Sequence, residues 1–112
     1  MQQDKIKINE LAEQDLENAG DYIAFVLLNP SAAENTVKGI REQVNKLRYF
    51  PDSHELDEDP MLAELGVRKI YFKEYKIFFV IDESTKTVYV IRILHMLVDS
   101  KAWLYRTFGI VE

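Results

Sequence analysis

His95 follows the apolar run Val88-Tyr89-Val90-Ile91-Arg92-Ile93-Leu94. An imidazole at the end of such a strand can leave the core and act as general acid or base near neutral pH. The ordinary alternative is a half-exposed histidine that only packs there. Arg68, Lys69, Lys73 and Lys76 fall within nine residues, with Glu74 the only acid among them. Phosphate contacts need cations gathered in this way, although lysines also decorate the solvent face of many sheets. Arg68 and Lys69 are adjacent, so in a regular strand they point to opposite faces and cannot share one pocket without a twist or bulge. Tyr71, Tyr75, Tyr89 and Tyr105 offer ring faces on which bases stack, or else they fill a core. His54 stands among acids, but one histidine with flexible carboxylates gives no defined ligand geometry, so no metal site is expected. A Gly-rich phosphate loop, a Gly-x-Ser-x-Gly elbow and a His-Glu-x-x-His pair are all absent from the sequence, which removes the common hydrolase signatures.

These residues need elements to hold them. Lys5-Ile6-Lys7-Ile8 alternates polar and apolar, which predicts a short half-buried edge strand. After Asn9, a candidate N-cap, Ala12, Leu16, Ala19, Ile23, Val26 and Leu27 recur at helical spacing, and Asn29-Pro30 ends that helix. Ser31-Ala32-Ala33-Glu34 reads as a capping box for a second helix, whose stripe is Ala33, Val37, Ile40, Val44 and Leu47. So short a connection makes the two helices antiparallel neighbours that must bury their stripes on a sheet. Phe50-Pro51 stops the second helix. Residues 52–60 carry five acids in nine positions and read as a solvated loop, with one helical turn possible over 61–65 before Gly66. Strands are then predicted over 67–72, 75–82 and 87–94, rich in aromatic and β-branched residues and joined by short turns, an antiparallel meander. Residues 99–108 form either a short amphipathic helix or a tail that docks on a partner.

The 112 residues suffice for one domain with one core. At 47% hydrophobic and 29% charged residues, the chain is too apolar for disorder. The run from Ile23 to Leu28 is too short to cross a bilayer, so no membrane partner is expected. There are no cysteines, which excludes disulfide scaffolds and thiolate chemistry and suits a reducing cytoplasm. The net charge of −5 argues against a general nucleic-acid coat, but it is uneven: residues 1–60 sum to −7 and residues 61–112 to +2. The C-terminal half is the part able to face an anion. The expected fold is α+β over residues 1–112, a helical hairpin packed on one face of a twisted antiparallel sheet of about four strands, with the opposite face concave and open.

The order of parts, with Asp15-Leu16, Tyr22-Ile23, Pro30-Ser31-Ala32-Ala33, Phe50-Pro51, Gly66-Val67-Arg68, the run 75–82, Arg92-Ile93-Leu94-His95 and Asp99, resembles the RelE/ParE superfamily of bacterial toxins over nearly the whole chain. The resemblance implies a toxin held inactive by an antitoxin encoded beside it, working without metal or cofactor. It also implies one of two mechanisms. RelE-like members cut messenger RNA on the ribosome, whereas ParE-like members inhibit DNA gyrase and need no catalytic residue. For RNA cleavage, His95 is the candidate acid or base, with Lys76 and Arg68 as catalytic cations and Lys69, Lys73, Arg92 and Tyr105 as substrate contacts. Lys76 stands where RNA-cutting relatives carry an arginine, so the bidentate phosphate fork is missing. The long second helix and the acidic charge lean toward the ParE-like branch, and a member that binds only its antitoxin is a third possibility. Because His95 and the basic hairpin make a chemically complete set, RNA cleavage is the sequence's favoured expectation and gyrase inhibition its alternative.

Overall fold

A strand of alternating exposure, β1 (Lys5–Ile8), leads directly into α1 (Glu10–Asp21) in the computed structural model, which describes residues 3–111. Asn9 occupies the N-cap position of α1 with extended backbone but makes no side-chain cap, and Glu10 and Glu13 place negative charge at the positive end of the helix dipole. Ala12, Leu16 and Ala19 are its buried stripe. The expected continuation of α1 to Leu27 is modified: Tyr22–Val26 widens into a π turn, in which the Leu27 N–H reaches back to the Tyr22 carbonyl.

The second helix, α2 (Pro30–Lys46), is capped by Asn29, whose Oδ1 accepts from the Ala32 N–H at 3.0 Å. This corrects the capping box expected at Ser31. Pro30 supplies the preset φ of a first helical residue, so the helix starts two positions earlier than a cap at Ser31 would place it. A 3-10 turn (Pro51–Ser53) and the short α3 (Pro60–Glu64) follow, with Asp59 Oδ2 capping α3 through the Leu62 N–H. The remainder is β2 (Arg68–Phe72), β3 (Tyr75–Asp82), β4 (Thr87–His95) and α4 (Ser100–Phe108), the last capped by Asp99.

The sheet order is β1-β4-β3-β2. The meander of β2, β3 and β4 is antiparallel as expected, while β1 joins β4 in parallel, making the sheet mixed. The two faces bury different cores. Leu16, Ile40 and Val44 of the helical hairpin pack on Ile77, Phe79, Val88 and Val90. On the other face Leu62, Val67 and Leu104 pack on Phe78, Ile91 and Leu94. The face expected to be open is therefore largely covered by α3 and α4. Burying Leu104 completely stabilises the docked helix by about 1.5–3 kcal/mol.

Candidate functional site

Strand register decides which of the candidate residues can meet. Lys69 is opposite Phe78, and Lys76 lies between Tyr71 and Leu94, which puts Lys69, Tyr71 and Lys76 on the α4 side of the sheet. Arg68 is opposite Phe79 and His95 opposite Tyr75, which puts both on the side of the helical hairpin. The three residues named as catalytic are thus divided, with Lys76 on one face and His95 and Arg68 on the other. Alternation along a strand makes this unavoidable once Leu94 faces α4.

On the hairpin side, the His95 ring is half-buried and meets Tyr75 edge to face at 5.3 Å between centroids. Its Nδ1 accepts the Leu97 N–H at 3.1 Å, so in the neutral ring the proton sits on Nε2. Burial, then the nearby Glu74 carboxylate and Tyr22 phenol, push the Tyr75 hydroxyl above the ordinary tyrosine range. Arg68 donates to the His54 carbonyl. The His54 ring packs edge-on against Phe79 at 6.1 Å. Lys73 sits in the β2–β3 turn with φ 51°, its ammonium over the Phe72 ring.

On the α4 side, a cleft of about 440 Å³ is lined by Lys69, Lys76 and Lys101, but also by Asp57, Glu58, Asp59 and Asp99. Lys69 Nζ lies 3.7 Å from Asp57 and 3.8 Å from Glu58. Asp57 is buried and also accepts the Asp59 N–H, which departs from the wholly solvated loop expected over 52–60. Tyr105, a candidate base-stacking residue, donates its hydroxyl to Asp59 at 2.8 Å and has the Lys101 ammonium over its ring. The Tyr105 hydrogen bond, aided by the Leu62 N–H and Lys101 against the opposing effect of burial, holds the Asp59 carboxyl below its usual range. The acid-rich loop thus pairs with Lys69 of β2 and Lys101 of α4.

Arg92, a candidate substrate contact, is buried and fully occupied. The extra residue Ile91, a bulge opposite the Phe78–Phe79 step, lets the Arg92 side chain reach the strand edge beyond the end of β1. There Asp15 accepts from its Nε and Nη2 at 2.7 Å each and from the Ile93 N–H at 3.0 Å. Thr107 and the Trp103 ring of α4 complete the contacts. One arginine therefore ties α1, β4 and α4 together.

Two further surfaces escaped the sequence reading. A groove of about 880 Å³ runs along the hairpin over Gly20, Ala33 and Val37, rimmed by Glu34, Lys38 and Arg41. Tyr22, Phe25, Val26, Leu27 and Leu28 are exposed at the hairpin tip. The signal for the tip was present: the apolar run continues past the point where a one-faced stripe should stop.

Residues 6–99 match the ParE toxin of the parDE type II toxin-antitoxin system. The chain belongs to the ParE toxin family. The toxin is similar to a protein of the chromosomal ParDE system of P. aeruginosa, at 25% identity over 83% of this chain and 96% of that one, with a TM-score of 0.69. It shares its fold with the free E. coli RelE toxin, at 12% identity over 97% and 99% of the two chains and a TM-score of 0.64. The same holds for the RelBE2 toxin-antitoxin complex of Mycobacterium tuberculosis, at 16% identity over 83% and 98% of the chains and a TM-score of 0.60. No curated protein sequence matches it. The toxin thus has an antitoxin as its partner, and its α+β fold is that of both RelE-like and ParE-like toxins.

Proposed function

We propose that this toxin arrests growth by binding and blocking a protein target, DNA gyrase, rather than by cutting messenger RNA. The observation that carries the reading is the placement of Lys76 and His95 on opposite faces of the sheet. Metal-free cleavage of RNA requires base, acid and phosphate-binding cation to converge within hydrogen-bond reach of one phosphodiester. Here a packed sheet separates the imidazole from the lysine cleft. Within that cleft four carboxylates accompany three ammonium groups, a balance that repels a phosphate chain. The match to the ParE family over residues 6–99 supports the same branch.

The test is a pair of reactions run with the purified toxin, one measuring supercoiling by gyrase and one measuring message integrity on translating ribosomes. Blocked supercoiling with intact message is expected, and His95→Gln and Lys76→Ala are each expected to arrest growth like the parent. Cleaved message, lost in either variant, would restore the nuclease reading.

A further inference from the structure

The hairpin tip is unlike the rest of the surface. Phe25 is 74% and Leu28 80% exposed, in a connection where polar residues and glycine are the norm. Leu28 adopts φ 54°, a conformation that a bulky residue rarely takes. The π turn before it bonds Leu27 to the Tyr22 carbonyl, and Asn29 reaches back to the Ile23 carbonyl. Such local widening recurs at functional positions. No charged residue occurs from Tyr22 to Ala33, although the chain as a whole is strongly acidic.

The tip also projects. The Asn9 N–H bonds to the Val90 carbonyl and Asp15 to the Ile93 N–H, so α1 runs alongside β4 toward His95. The thirteen residues from Asp15 to Leu28 advance about 20 Å at helical rise, whereas Ile93 to His95 advances only about 7 Å. The tip therefore overhangs the end of the sheet by roughly 10 Å. The same end of the sheet carries Met96 and Leu97, the latter 86% exposed.

We infer that this end is the interface of a symmetric homodimer, the occupant of each tip being the tip of a second copy. The area is the right size: at the observed exposures the five tip residues with Met96 and Leu97 present on the order of 800 Å², the share each partner gives to a standard interface. The chemistry is self-compatible, as a two-fold contact demands, because an uncharged surface keeps the −5 charges of the two copies apart. Tip-to-tip contact also leaves the hairpin groove and the lysine cleft beside α4 clear for other partners.

Sedimentation of the full chain across a concentration series should show a monomer–dimer equilibrium that tightens as salt is added, because salt screens the repulsion between two acidic chains while leaving an apolar contact intact. Phe25→Glu should return the monomer with an unchanged circular dichroism spectrum. The absence of cysteine provides a second measurement that does not depend on disrupting the surface. A short thiol-to-thiol cross-linker should join two Leu28→Cys chains and should fail with Lys86→Cys, which lies at the opposite end of β4. A monomer at every concentration and salt would overturn the inference. So would equal cross-linking at both positions, or protection of Leu28→Cys from thiol reagents only after antitoxin is added, which would assign the tip to the antitoxin.

Discussion

Asp15 accepts three hydrogen bonds, two from Arg92 and one from the Ile93 N–H, at the stretch of β4 that β1 leaves unpaired. It thereby satisfies a strand edge and a buried guanidinium together. Removing one partner of such a pair strands the other charge, which costs more than the pair itself contributes. Asp15→Ala should therefore lower unfolding free energy by about 3–5 kcal/mol, read as a shift of the urea midpoint with an unchanged slope. Asp59 makes a pH prediction. Its folded pKa lies below the ordinary value, chiefly through the Tyr105 hydroxyl, so its contribution to stability is complete above the unfolded aspartate pKa and is lost as pH falls through the lower, folded one. Tyr105→Phe should move the Asp59 titration upward toward 3.8, a change visible by NMR of the carboxyl carbon. An unmoved titration would mean that Tyr105 does not hold the carboxylate. Neither role was legible from spacing, because the Asp15–Arg92 and Asp59–Tyr105 pairs are separated by 77 and 46 residues.

Local signals placed the elements well and their partners less well. The four-three spacing of Ala33, Val37, Ile40, Val44 and Leu47 anticipated α2, and the aromatic, β-branched segments anticipated β2, β3 and β4, because these patterns come from burying one face of each element. The parallel pairing of β1 with β4 and the docking of α4 on the second face depend on long-range contacts, which no local period encodes. Gly39 illustrates the difference. In the sequence it is only a poor helix former inside α2, yet a Cβ there would stand 2.1 Å from Cζ of Phe72 in β2. Gly39→Ala should destabilise the toxin by roughly 1 kcal/mol even though alanine favours helix. In a Phe72→Ala background the same change should instead stabilise by about 0.5–1 kcal/mol. This sign reversal in denaturant melts would establish the contact, and a loss of equal size in both backgrounds would refute it.

At the scale of the whole molecule, folding offsets part of the charge asymmetry that pointed to RNA. Three cations of the C-terminal half are met by acids from the N-terminal half, Lys69 by Asp57 and Glu58, Arg92 by Asp15 and Lys101 by Asp59. A linear charge profile cannot show this, because the loop over 52–60 reaches the basic strands only in three dimensions. The same sheet that forms the core also keeps His95 apart from the lysine cleft, so the fold by itself does not fix the chemistry, which rests on where the side chains lie. A blocker and a nuclease differ most plainly in stoichiometry. Titrating the purified toxin into a fixed amount of gyrase should abolish supercoiling as the toxin approaches equivalence with its target, with message left whole in a parallel ribosomal reaction. Destruction of many messages per toxin molecule, with supercoiling untouched, would contradict it.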